Sequence, residues 1–245
     1  MKKNKKLALI LMLLALAFAL CACAGGGEKA ASTENKTTAE IPTVLNQGEY
    51  VLYQNIFYND YGVRYEGTET EKQGVFTVVQ DAYTNVKRYY VWGYLDNTKC
   101  CDWQWEFVPG NAKNLPAPGS LVKVKGTFTA SEDALDGYWI TGASVETLQQ
   151  YTGDSAEVNM LAMSDTLERV QITNINNRSQ SFEGKSFIAY GRVANAATLQ
   201  DPYYDGSWNI PFTTQEAVPA IGTTILLKGV VQSGVLANCS VTSLD

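Results

Sequence analysis

The sequence predicts an all-β chain built as two tandem small barrels, and two observations carry that expectation. The first is an internal repeat. Leu115-Pro116-Ala117-Pro118-Gly119 is followed by SLVKVKG ending at Gly126, and Val218-Pro219-Ala220-Ile221-Gly222 by TTILLKG ending at Gly229. Downstream, ITGASVETL (140–148) lines up without a gap against LANCSVTSL (236–244), after a connection seven residues shorter in the second copy. Length variation confined to a turn between matched strands is what a duplicated β module produces. An upstream match of Tyr65-Glu66-Gly67 to Phe182-Glu183-Gly184 is weaker. The second observation is texture: short runs rich in β-branched and aromatic residues, broken by Gly, Asn, Asp and Pro.

Taken in order, residues 1–22 read as a secretory signal peptide. A basic start (MKKNKK) precedes an apolar run from Leu7 to Leu20 that is too short to span a bilayer, which takes roughly 20 residues. Its end, Leu20-Cys21-Ala22-Cys23, resembles the bacterial lipobox: an aliphatic residue three places before, and a small residue directly before, a cysteine that becomes lipidated. Cys23 fits both places; Cys21 fits less well, because Leu20 would occupy the small-residue position. Residues 23–43 are rich in Gly, Ala, Ser, Thr and charge, with no apolar period, and read as a lipidated flexible tether. A diacyl anchor of palmitate type holds a protein where one chain binds only marginally. The expected address is the extracytoplasmic face of the bacterial cell membrane.

The body divides at the repeat into a first domain, 44–150, and a second, 151–245. In the first, strands are expected near 74–82, 88–96, 101–109, 120–130 and 138–147, with 49–66 unassigned. In the second, strands are expected over 185–194, 207–214, 223–232 and 235–242. A short helix over 165–175, behind Ser164, leads into them. Five short strands in about a hundred residues suit a small, partly open OB-like barrel. Gly184-Lys185-Ser186-Phe187-Ile188-Ala189-Tyr190-Gly191-Arg192-Val193 resembles the first-strand pattern of the tRNA-anti-like OB-fold domains found in bacterial lipoproteins, and 222–229 and 236–244 continue it. The resemblance covers 182–244 well and 74–148 loosely, where the glycine-lysine opening is missing. It implies a barrel and an envelope address; it transfers no catalytic residue and no tRNA binding.

Composition narrows function. The chain has no histidine, which excludes Ser-His-Asp triads, Cys-His dyads and imidazole metal sites. Loss of the signal peptide removes Lys2, Lys3, Lys5 and Lys6, leaving 15 basic against 25 acidic residues, a formal charge of −10. Such a surface disfavours nucleic acid, whose phosphates are held by Lys and Arg. No motif asks for a cofactor or a metal, and no catalytic constellation is recognisable.

Three groups of residues stand out. A hairpin turning about 97–100, with Tyr94 facing Trp103, Trp92 facing Trp105 and Tyr90 facing Phe107, would put all six aromatics on one face. Val91–Glu106, Gly93–Gln104 and Leu95–Asp102 would then occupy a solvated opposite face. The aromatic face is core, or a partly open platform for a small ligand, glycan or peptide as on strands two and three of OB barrels, or packing between the domains. Cys100 and Cys101 form the second group, either a redox-active vicinal pair or two ordinary thiols; Cys239, aligned with Ala143, reads as a small buried hydrophobe. The third group is the acidic turns 131–137 and 201–206, which are ordinary hairpin turns, contacts for a bound partner, or weak calcium candidates without EF-hand spacing. The expectation is a non-catalytic binding or scaffold lipoprotein, partnered by the membrane through its lipid and by a small ligand, glycan, peptide or envelope protein. The alternative is a thiol redox or sensor protein using Cys100 and Cys101.

Overall fold

A computed structural model describes residues 40–59, 61–203 and 206–245. The expected signal peptide, Cys23 and the expected tether as far as residue 39 lie outside the described residues, and among the described residues no helix is long and apolar enough to cross a membrane. The tether was expected to reach residue 43, but Ile41 and Val44 already pack against core residues, and Tyr94 donates its N–H to the Val44 carbonyl at 2.8 Å. The body therefore begins before residue 44.

The chain is all-β in its framework, with two barrels in tandem. Helix α1 (Gln47–Tyr58) leads through a 3-10 turn (Gly62–Arg64) into β1 (Glu69–Gln80), β2 (Lys87–Tyr94), β3 (Asp102–Pro109), β4 (Leu121–Ala130) and β5 (Tyr138–Gln149). These strands close in the order β1-β2-β3-β5-β4, with β3 and β5 parallel. A short β6 (Val158–Asn159), helix α2 (Asp165–Asn177) and a 3-10 turn (Ser179–Phe182) then lead into β7 (Ser186–Asn195), β8 (Thr198–Gln200), β9 (Asn209–Thr214), β10 (Thr224–Gln232) and β11 (Val235–Ser243). Here the order is β6-β7-β8-β9-β11-β10, with β9 and β11 parallel as β3 and β5 are, the short β6 parallel to β7, and β10 pairing back onto β7. Both modules are OB-like.

The duplication holds residue by residue. Phe107 faces Ile140 and Pro109 faces Ala143 in the first module; Phe212 faces Leu236 and Thr214 faces Cys239 in the second. A Cβ on Gly74 would stand 2.5 Å from the Trp92 carbonyl oxygen and 3.1 Å from the Trp103 ring, and one on Gly191 would stand 2.5 Å from the Gln200 oxygen and 3.1 Å from the Trp208 ring. Each barrel thus seats one tryptophan against a glycine that leaves room for it. The upstream match is structural as well: Gly67 and Gly184 both take positive φ, and their N–H groups bond to Phe128 and Val231, equivalent positions of β4 and β10. The repeat therefore includes the turn before the first strand and the helix before that turn.

Helix α1 fills the stretch that sequence reading left unassigned. Its aromatic, β-branched composition is a poor helix signal, and tertiary contacts decide it. Asn46 caps it by accepting from Glu49 N–H at 3.1 Å. Glu49 then accepts from Trp105 Nε1 at 3.0 Å and pairs with Lys72 at 2.8 Å, while Tyr53 and Ile56 enter the first barrel's core beside Trp105.

The expected hairpin register is corrected by one residue. Val91 faces Trp105, Trp92 faces Gln104 and Gly93 faces Trp103. The cause is Lys99, whose φ of 55° places it in the left-handed region. Asp96 accepts from Lys99 N–H at 3.2 Å, and one extra residue is inserted before Leu95 N–H bonds Cys101 O at 2.8 Å. A turn followed by a left-handed residue is the usual three-to-five-residue hairpin solution, and a one-residue slip exchanges the faces of a strand. The six aromatics are therefore divided between two faces.

Candidate functional site

On the inner face of β3, Trp103, Trp105 and Phe107 fill the first barrel with Phe76, Val122 and Ile140. On the outer face of β2, Tyr90, Trp92 and Tyr94 enter a second core that also contains α2 and the interior of the second barrel. All six are buried, from 0% exposure at Tyr90 and Trp103 to 9% at Tyr94, so the open aromatic platform is overturned. The face expected to be solvated is covered too. Arg88 bridges Glu106 at 2.8 Å and donates to the Asp133 carbonyl, and Leu135 N–H donates to Glu106 at 2.8 Å. The acidic turn 131–137 thus folds back over β2 and β3. Burial, with Glu106 nearby, pushes Asp136 up to about 6.

The surface that joins the modules is extensive. Trp92 Nε1 donates to Ala162 O at 2.9 Å; Asn174 donates to Gln80 O at 2.9 Å; Gln80 N–H donates to Gln171 at 2.9 Å; Ser181 donates to Ala82 O at 2.7 Å. At its other end, Asp102 of β3 accepts from both the N–H and the hydroxyl of Thr166, at 2.8 and 2.7 Å, and so caps α2 together with Ser164, which accepts from Leu167 N–H at 3.3 Å. A carboxylate suits that place, where helix N–H groups lack partners and the dipole favours negative charge.

Beside this cap lies a pocket of about 280 Å³. The strap 40–43, Trp92, Tyr94 and Lys99 close it from the first module. Leu161, Met163, Asp165, Glu168, Tyr190, Tyr203, Leu226 and Leu244 close it from the second. Trp92 and Tyr94 meet edge to face with centroids 5.3 Å apart, and Lys99 Nζ stands 5.9 Å from the Tyr94 centroid. A mostly apolar, aromatic wall with a few polar groups is the make-up of small-molecule sites. Burial first, then Asp102 and Asp201, push Asp165 up to about 6, against the pull of Arg169 and Lys99. Burial and the neighbouring Asp165, Asp201 and Asp102 hold Glu168 well above the usual carboxylate range.

Sequence reading missed Asp165, Glu168 and Tyr190. It singled out Tyr203 only as part of the turn 201–206, of which 204 and 205 lie outside the described residues. A signal was present for Glu168: α2 buries Leu167, Glu168, Gln171, Ile172 and Ile175, so the glutamate sits on the helix's apolar stripe.

Asp165 makes stability depend on pH. Its folded pKa lies above its unfolded value, so the native state binds the proton more tightly. Its contribution is complete below about pH 4 and is lost as pH rises through about 6. Asp165→Asn should therefore gain on the wild type by ~2 kcal/mol between pH 4 and pH 7, allowing for partial solvent access. Denaturant melts at both pH values check this, and parallel pH profiles would refute it.

Cys100 and Cys101 carry free thiols with Sγ atoms 3.2 Å apart. Thr98 donates to Cys100 Sγ at 3.2 Å and lowers its pKa, while the neighbouring Cys100 and burial raise that of Cys101. Cys239 is buried where its alignment with Ala143 placed it, and burial pushes its thiol up to about 11. Native alkylation at pH 7.5 should modify Cys100 first, Cys101 more slowly and Cys239 only on unfolding, as read by peptide mass spectrometry. Equal labelling of Cys100 and Cys239 would contradict this burial order.

Among the described residues, no group of three or more Cys, Asp or Glu side chains is placed to hold a metal ion. Fold and site together define a class: an all-β chain of two OB-like modules that share a core and enclose a ligand-sized pocket at their seam. The chain matches no family model, no curated protein and no solved structure.

Proposed function

We propose that this chain is a non-catalytic binding module, held at the outer face of the bacterial membrane by a lipid on Cys23, with its ligand site in the pocket between the two barrels. The observation that carries the binding half is the pocket itself. Its walls come from both modules, its lining is largely aromatic and apolar, and the buried Glu168 and half-buried Asp165 reach it. The lipobox-like Leu20-Cys21-Ala22-Cys23 supports the address, and the lack of histidine removes the triad, dyad and imidazole-metal routes to hydrolysis.

Binding is tested by thermal shift on the full-length chain in a nonionic detergent, against amines, sugars, short peptides and carboxylates. A ligand at a hundred times its Kd stabilises by about 2.7 kcal/mol. At least one class should raise the Tm, and Tyr203→Ala, at a half-exposed wall of the pocket, should remove the rise. Silence from every class counts against the reading. The address is tested by fractionating cells that express Cys23→Ser, which should release the protein from the membrane.

A further inference from the structure

Within the pocket one group is out of place. Glu168 is 5% exposed and lines the cavity, and among the described residues its carboxyl is eased toward ionisation by the neighbouring Arg169 guanidinium without a side-chain hydrogen bond to match. A buried carboxyl without a matching hydrogen bond costs free energy that packing must offset, so its retention on the floor of an aromatic cavity points to a group the ligand supplies. The described charges that bear on Glu168 are mostly acidic. Asp165 stands on the same helix and Asp102 and Asp201 approach from β3 and the turn after β8, against Arg169 on α2 and Lys99 at the rim. The hydroxyls of Tyr94 and Tyr203 sense both Asp165 and Glu168 and do not titrate in the neutral range. The aromatic lining answers the same chemistry, because Trp and Tyr faces attract a cation through their ring quadrupoles, most strongly when water is excluded.

We infer that the pocket binds a small organic ammonium ion with an apolar body, its charged head directed to Glu168 and its body against Trp92, Tyr94, Tyr203 and Met163. This rests on the pocket being the ligand site. An anion would meet an acidic floor, and a neutral ligand would gain nothing from the ionised form of Glu168. A cation favours the ionised carboxylates and must displace protons where these are held. Affinity therefore falls as pH drops from 8 to 5, because Asp165, pushed up to about 6, takes up its proton across that range and Glu168, held well above the usual carboxylate range, favours its own.

The experiment is calorimetric titration of the full-length chain in nonionic detergent with three probes of one shape: phenethylammonium, 2-phenylethanol and 3-phenylpropionate. At pH 8 the cation should bind at least tenfold more tightly than the alcohol, the carboxylate should not bind, and the cation should weaken at least tenfold at pH 5. Glu168→Gln, which keeps the shape and the fold, should erase the preference for the cation. Tyr203→Ala, at a half-exposed position, should weaken all binding in the pocket. Alcohol binding equal to the cation's, and sensitive to Tyr203→Ala, would overturn the ammonium assignment and leave the pocket as the site. Cation binding unaffected by both variants, or no binding of any probe, would overturn both.

Discussion

Replacing Trp103 with alanine is expected to cost about 3–5 kcal/mol of stability, the range for deleting a large aromatic from a close-packed core. The ring is fully buried, and its Nε1 donates to Tyr94 O at 3.3 Å. It is gripped by two glycines: a Cβ on Gly93 would lie 2.5 Å from the indole, and one on Gly74 would lie 3.1 Å from it. The backbone is held apart to make this slot, so the surroundings cannot collapse to fill it, which places the loss at the upper end of the range. Trp208, buried against Gly191, is its counterpart, and Trp208→Ala should cost a similar amount. Denaturant midpoints at a constant slope measure both. A loss under 1 kcal/mol at either position would refute the slot argument.

Trp92→Ala should have a different signature. Its indole lies in the core shared by the two modules and donates to Ala162 O at 2.9 Å. Removing it cuts the seam while leaving each barrel's interior intact. The wild type should unfold in one cooperative transition, because its core runs unbroken from Val75 and Trp92 through Leu167 and Ile172 to Phe187 and Leu227. The variant should lose about 3–5 kcal/mol and separate into two calorimetric transitions, one for each module. A single transition, lowered in temperature only, would show that the remaining contacts at Gln80, Asn174 and Ser181 suffice to couple the barrels.

Much of the framework was legible in the chain. Strand texture predicted an all-β body, the glycine-to-glycine repeat predicted two equivalent modules, and the gap in that repeat fell in the turn between β4 and β5. The structure gives that gap a purpose: the long first turn covers Glu106 through Leu135, whereas Ser233 and Gly234, both at positive φ, close the second with a tight hairpin. Helix α1 was not legible. Tyr50, Tyr53, Ile56 and Phe57 read equally well as strand, and only docking against Trp105 and Lys72 selects the helix.

The site was the least legible part, and one backbone angle explains most of the loss. The aromatic pattern of 88–108 announced a densely packed hairpin, but which ring points where depends on whether Lys99 is inserted as a left-handed residue. That choice moves Tyr90, Trp92 and Tyr94 to one face and Trp103, Trp105 and Phe107 to the other. The sequence by itself determined composition, strand content and duplication, because these follow from local preference and from comparison of the chain with itself. The tertiary structure decided the register, the shared core and the pocket. Each brings together residues far apart in sequence, such as Asp102 with Thr166 and Trp92 with Glu168, and that proximity comes from packing the two barrels, which no local pattern encodes.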